Sequence, residues 1–314
     1  MRPSGLILTM LLITGSLSCS GDIRAQSPHT LTTPGAIIHF PAGRKDAALD
    51  YLRAFPEVRA SLRRRSGAAL GKGVIIELVT GIEELRARAE ALGGRTPDSF
   101  IEGLAFSRQR HVLIRLDASG STWHRIQGLL THELAHVAID EFRMRPDAAA
   151  IPRWLDEGIA QYLEGGPVTA LFWELPVRAR LGFLIPLAEL DKAFFEPGGR
   201  RAAAYVQAES LTEFMVRAGG GVRELLELLG EGVSLKLAVR KLTFMDLEEI
   251  ETLWIEDLES DVAATMRSLG PLAFALFIGL ASAAGLIRRH RRKLVIEERW
   301  AREEEAEAQG PGKD

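Results

Sequence analysis

The sequence predicts an α+β fold with a small mixed sheet first and a helical lobe after it. Short β-like runs alternate with helical patterns over the first part of the chain. After Ser121 the apolar residues recur mainly at helical spacing. A separate apolar stretch, uncharged from Ser268 to Ile287, has the length of a helix that crosses the roughly 30 Å core of a bilayer. Together these patterns predict a sheet with one long helix that contains HELAH at residues 132–136, then a helical lobe and a carboxyl-terminal transmembrane helix.

The composition sets limits on the whole chain. Its 314 residues are enough for one large domain or two small ones, and 46% of them are hydrophobic, so a sizeable core can form. The net charge of −3 does not indicate nucleic acid as a partner. The single cysteine, Cys19, excludes an internal disulfide framework.

The amino terminus predicts a secretory signal peptide over residues 1–25. The basic Arg2 precedes an apolar run that begins at Leu6, and small residues follow this run up to Ala25. Lipidation of Cys19 is the alternative to simple cleavage.

The first folded lobe is predicted over residues 36–165, after a Ser-, Thr- and Pro-rich linker at residues 26–35. A helix with apolar residues at helical spacing is expected from Asp46 to Arg65, and Pro56 should kink or split it. A second helix should open at the Thr80 capping box. The predicted strands are Ala36–Phe40, Val74–Val79 and His111–Asp117, the last as one half of a hairpin with Phe106.

The run HELAH at residues 132–136 is the strongest motif in the chain. In a helix from about Thr122 to Phe142, His132 and His136 share one face and can reach one ion. Glu133 is offset from His132 by about 100°, which suits contact with a water on the metal. An amphipathic helix with two partly buried histidines is the alternative interpretation.

A second helix is predicted after Pro152, in the run PRWLDEGIAQYLEGG, and it carries Glu157. Two antiparallel helices can offer His132, His136 and Glu157 to a single ion. Three protein ligands with one open position form the tetrahedral site of a hydrolytic zinc centre.

HELAH followed by WLDEGIAQYLEG resembles the gluzincins, the thermolysin-like metallopeptidases, over about residues 70–215. The WLxEGxAxY form is most similar to the aminopeptidase branch and to the small peptidase MA-like domains. The resemblance implies His132, His136 and Glu157 as ligands of one Zn²⁺ ion and Glu133 as the general base. No GxMEN segment precedes the helix, and the spacing to the third ligand is two residues longer than in the aminopeptidase branch. The resemblance therefore implies the zinc site but not the exopeptidase activity of that branch.

The resemblance also implies a tyrosine after the third ligand that stabilises the oxyanion, and Tyr205 is the candidate. Packing between helices is the alternative role for this residue. By the same resemblance, an edge strand that pairs with the substrate backbone is expected within Ala105–Asp117, where a plain hairpin is the alternative. Asp156 and Gln161 are candidates to hold the ligands by hydrogen bonds.

The remaining sequence predicts a helical lobe followed by a membrane anchor. A helical lobe is expected over residues 166–267, then the transmembrane helix at residues 268–287 and a charged tail at residues 288–314. The basic run from Arg288 to Lys293 places that tail in the cytoplasm by the positive-inside rule.

These features predict a zinc metallopeptidase in the cell membrane, single-pass, with its catalytic domain outside the cytoplasm. Its expected partners are a peptide or protein substrate and the membrane, without nucleic acid, and the oligomeric state is left open. A non-catalytic envelope scaffold or peptide-binding protein with the same fold is the alternative. An amidase that acts on cell-wall material would use the same zinc chemistry.

Overall fold

The computed structural model describes residues 29–71, 73–117, 122–165 and 174–260, and also residues 276, 278, 279 and 282. The predicted signal peptide and cytoplasmic tail lie outside these residues, as does most of the predicted transmembrane helix at 268–287. Within the described part of the chain, no helix combines the length and the apolar character needed to cross a membrane.

A mixed five-stranded sheet, in the order β1-β2-β3-β5-β4, forms one layer of the fold. Its strands are β1 (His29–Thr33), β2 (Ala36–Phe40), β3 (Val74–Val79), β4 (Gly103–Phe106) and β5 (His111–Arg115). Strands β2, β3 and β5 are parallel, whereas β1 and β4 pair antiparallel at the two edges. A short 3-10 turn, Ser107–Gln109, joins β4 to β5. This sheet confirms the predicted α+β class.

The predicted linker at residues 26–35 was wrong where β1 forms. Three threonines favour extended backbone in this strand, although a Ser- and Thr-rich stretch resembles a loop by composition. Leu31 packs against the main core, and the chain reverses at Gly35, whose φ of 97° is a conformation that glycine adopts without strain. Partial burial of Leu31 and pairing with β2 therefore outweigh the compositional pattern.

Helices cover both faces of the sheet. Val112 and Ile114 of β5 face the main core, where α1 (Lys45–Ser66) and α3 (Trp123–Arg143) pack. Leu113, between them, points to the opposite face and contacts the cluster under α2 (Ile82–Ala91).

Helix α1 continues through Pro56 and is not split there. Tyr51 and Phe55 before the proline and Val58 and Leu62 after it are all buried in the same core. The packing on both sides of Pro56 compensates for the single hydrogen bond that a proline removes.

A set of helices follows α3 and forms the second layer. They are α4 (Arg153–Glu164), α5 (Glu174–Arg180), α6 (Leu187–Ala193), α7 (Gly199–Gly219), α8 (Val222–Gly230), α9 (Leu235–Thr243) and α10 (residues 247–260). Helix α4 lies between α3 and α7 and packs against both. Trp254 of α10 donates a hydrogen bond to Ser210 of α7 at 3.0 Å.

Candidate metal centre

Helix α3 carries both histidines on one side and packs against the hydrophobic core with its other side. Leu130 and Leu134 are fully buried and fix the helix to the core. His132 and His136 lie on the partly exposed side, with ring centroids 5.0 Å apart and planes at 80°. The helix begins and ends within a residue of the predicted bounds.

Helix α4 brings Glu157 to these histidines. Its Oε2 atom lies 3.7 Å from Nε2 of His132 and 3.7 Å from Nε2 of His136. One ligand atom from each of the three residues falls within 4.8 Å of the others. Bonds of about 2.0–2.1 Å in tetrahedral geometry put neighbouring ligand atoms about 3.3 Å apart, so a small inward movement would close the site on an ion. His132, His136 and Glu157 could therefore hold a metal ion.

A second carboxylate supports each histidine from behind. Nδ1 of His136 lies 2.8 Å from Oδ1 of Asp156, and Nδ1 of His132 lies 3.2 Å from Oε2 of Glu164. These contacts turn both Nε2 atoms towards Glu157, an arrangement common to histidine ligands of metals. Asp156 also accepts a hydrogen bond from Arg143 at 2.8 Å.

The sequence pointed to Asp156 but not to Glu164. Glu164 lies two helical turns after Glu157, and residues at that spacing share one helix face. This spacing is the feature of the sequence from which Glu164 could have been predicted. Gln161, the other sequence candidate, has a buried Oε1 atom with no hydrogen-bond partner among the described residues, so this oxygen does not hold a ligand.

The carboxylates shift the pKa values of the histidines. Burial acts to lower the pKa of His136, but the charge and hydrogen bond of Asp156 outweigh it and raise that pKa to about 10. Burial also acts to lower the pKa of His132, but the hydrogen bond to Glu164 raises this pKa above its usual value. Because a metal ion binds the unprotonated ring nitrogen, it would compete with a proton at each histidine.

Glu133 is buried beside the three candidate ligands and is only 5% exposed. Burial raises its pKa, against the opposing charges of His132 and His136. A carboxyl group with a raised pKa suits proton transfer near neutral pH.

The edge strand β4 runs directly past Glu133. A Cβ atom placed on Gly103 would lie 2.8 Å from Cδ of Glu133, so only glycine permits this approach. The predicted range, Ala105–Asp117, includes the second half of β4 and all of β5, whereas the strand that borders the site begins earlier, at Gly103.

Tyr205 of α7 lies near the candidate ligands. Burial and the negative charge of Glu157 raise its pKa to about 12, although Arg153 acts in the opposite direction by charge and hydrogen bonding. Its ring packs edge-on against Phe194, with centroids 4.9 Å apart. The hydroxyl group therefore stays protonated and available as a hydrogen-bond donor.

Comparison with protein families matches residues 59–260 to the family described as the Peptidase MA superfamily. The match begins within α1 and ends within α10, so it includes every residue of the candidate centre. Comparison with curated proteins gave no match.

Proposed function

The chain belongs to the Peptidase MA superfamily, and we propose on that premise that it is a zinc-dependent metallopeptidase of the gluzincin type. Family membership supports a metallopeptidase-like function. The proposal of a zinc-dependent enzyme rests on one observation: His132, His136 and Glu157 converge on one point, and Glu133 is buried beside them. Two imidazole nitrogens and one carboxylate oxygen are a donor set that suits zinc and leaves one position open.

The protein's own groups have distinct roles in the proposed reaction. Bound zinc would supply Lewis acidity, which polarises a carbonyl group and lowers the pKa of water to about 7. Glu133 would take the proton from the attacking water and pass it to the leaving amine. Tyr205 would donate a hydrogen bond to the developing oxyanion. The outer edge of β4, which pairs with no other strand among the described residues, would pair with the backbone of an extended peptide.

The proposal is tested by Glu133→Gln, a change that removes the base but none of the candidate ligands. Purified wild-type protein should contain about one zinc ion per chain and hydrolyse peptides. The variant should keep its zinc and lose about 10²- to 10⁴-fold in kcat, the range expected for a general base. Metal content by atomic spectroscopy and hydrolysis of a peptide library are the measurements.

Glu227→Gln, at an exposed position of α8, is the matched control and should behave as wild type. Zinc-loaded wild type that cleaves no peptide in the library would instead favour the non-catalytic scaffold. Cleavage of cell-wall amides without cleavage of peptides would favour the amidase.

We also propose that residues 268–287 anchor the protein in the cell membrane, with the catalytic domain outside and residues 288–314 in the cytoplasm. The signal pattern in residues 1–25 and the basic run after Ile287 support this topology independently of each other.

A further inference from the structure

We infer that Arg153 is a positioning residue of the metal centre, which holds Glu157 so that a single carboxylate oxygen faces the ion. The inference rests on the proposed function, because it assigns a role within the same site. Arg153 is the first residue of α4 and lies one turn before Glu157. Neither the HExxH motif nor the three-ligand set assigns it a role.

The two oxygens of Glu157 have different partners. Nη2 of Arg153 donates to Oε1 at 3.0 Å, whereas Oε2 is the oxygen that lies 3.7 Å from both histidines. With Oε1 engaged by the guanidinium, only Oε2 would be directed at a bound ion. Binding through both oxygens would occupy an additional coordination position, and the open site of a hydrolytic zinc centre needs that position for water.

Aromatic rings hold the guanidinium of Arg153 in place. Its Cζ atom lies 5.0 Å from the ring centroid of Phe195 and 5.6 Å from that of Phe194. A planar guanidinium can stack on a ring and donate hydrogen bonds in its plane at the same time, which the compact ammonium of lysine cannot do. A lysine at position 153 should therefore hold Glu157 less firmly than the arginine does.

Arg153 also links the third candidate ligand to the candidate oxyanion donor. Its positive charge acts on the hydroxyl of Tyr205, and Tyr205 packs against Phe194, whose ring also lies near this guanidinium. Loss of Arg153 should thus disturb both Glu157 and Tyr205. A residue that merely stabilised the start of α4 would not affect the coordination of the ion.

The test compares Arg153→Met and Arg153→Lys with a matched control, Arg178→Met. Arg178 also pairs with a glutamate one turn away on its own helix, Glu174 at 3.5 Å, but this glutamate is exposed and is not a candidate metal ligand. Zinc affinity is measured by competition with a chromogenic chelator, coordination by the visible spectrum of the cobalt-substituted protein, and catalysis as separate kcat and KM values.

In Arg153→Met we expect zinc affinity to fall about 10- to 100-fold, as is usual when a partner of a metal ligand is lost. The cobalt spectrum should shift towards a higher coordination number, and kcat should fall more than KM changes. Arg153→Lys should be intermediate in all three measurements, and Arg178→Met should match wild type. Melting of each metal-free variant verifies folding, and the lysine variant still tests the inference if the methionine variant does not fold.

Wild-type zinc affinity and an unchanged cobalt spectrum in Arg153→Met would overturn the inference. Tighter zinc binding would also overturn it, because the guanidinium would then act only by repelling the cation. A rise in KM alone would make Arg153 a substrate contact instead. Wild-type protein that binds zinc but cleaves nothing would overturn the proposed function alone, since affinity and spectrum remain readable, whereas wild type that binds no metal would overturn both.

Discussion

Individual side chains around the candidate centre carry an excess of negative charge. Among the described residues, four carboxylates lie around the histidines and two guanidinium groups pair with them; these residues are Glu133, Asp156, Glu157, Glu164, Arg143 and Arg153. Glu133 and Glu157 are buried, and buried carboxylates are costly unless cations compensate their charge. The raised pKa values of both histidines follow from this excess, because protons on the imidazoles partly neutralise it. A divalent cation would neutralise the same charge.

Gly103 sets the distance between the edge strand and the candidate general base. In Gly103→Ala the new Cβ would lie 2.8–2.9 Å from Cδ and Cγ of Glu133, so the carboxylate must move while the histidines need not. We expect kcat to fall about 10- to 100-fold, since a displacement of about 1 Å in a reacting group can have that effect. Zinc content should not change.

The measurement for Gly103→Ala is kcat together with zinc content, with Gly73→Ala as the control. Gly73 also lies beside the sheet, but the nearest atom to an added Cβ there is 3.9 Å away. Equal kcat values in both variants would show that the position of Glu133 does not depend on β4.

The convergence of the candidate ligands could be predicted because the chain itself fixes the spacing along a helix. His132 and His136 are one turn apart, and two neighbouring antiparallel helices leave little choice for the third ligand. Arg153 and Glu164 could not be assigned in this way, since their roles depend on which oxygen of Glu157 faces the ion and how His132 is turned. Tyr205 depends on the packing of α7 against α4, and only the family resemblance indicated it.

At the level of elements, α4 is fixed at both ends by residues distant in sequence. Asp191 accepts a hydrogen bond from the backbone nitrogen of Trp154 at 2.8 Å. Arg65 donates to the carbonyl oxygens of Tyr162 at 2.7 Å and Leu163 at 2.5 Å. The last carbonyl groups of a helix need such donors. The basic end of α1 therefore positions the helix that carries Glu157.

Gly158 allows α4 and α7 to pack closely. A Cβ atom at this position would lie 2.5 Å from the carbonyl oxygen of Ala208 and would also meet Oγ1 of Thr212. Because backbone atoms cannot move aside cheaply, Gly158→Ala should force the helices apart and reduce the free energy of unfolding by about 1–3 kcal/mol. Tm should fall by about 2–4 °C for each kcal/mol.

Thermal melting of Gly158→Ala is compared with that of Gly199→Ala. Gly199 is also helical, in the first turn of α7, and an added Cβ there meets nothing within 4 Å. The control should match wild type or gain up to about 1 kcal/mol from the better helix propensity of alanine. Similar Tm values for the two variants would mean that α4 and α7 can move apart without a loss in the free energy of unfolding.

Across the whole molecule, the sheet and the later helices share one hydrophobic core. Ile38 of β2, Leu155 of α4, Leu211 of α7 and Trp254 of α10 belong to the same buried cluster. The predicted boundary between residues 165 and 166 follows α4 directly, yet α4 packs on α3 before it and on α7 after it. The candidate metal ligands therefore precede the boundary and Tyr205 follows it, so both predicted lobes contribute to the site.

The proposed membrane topology depends on charge rather than on the folded core. The basic run from Arg288 to Lys293 should remain in the cytoplasm, because such clusters oppose translocation. A reporter enzyme that is active only outside the cytoplasm should therefore be active when fused after residue 260 and inactive when fused after Asp314. A reporter that matures only in the cytoplasm should give the reverse pattern.

Replacing the basic residues of that run with glutamine is the decisive control for orientation, since it removes the charge and keeps the apolar span. We expect the fusion after Asp314 to gain activity outside the cytoplasm in this variant. If the unmodified chain already shows activity at both fusion points, residues 268–287 do not span the membrane. The candidate metal centre would be unaffected by that result, because its three candidate ligands lie on α3 and α4.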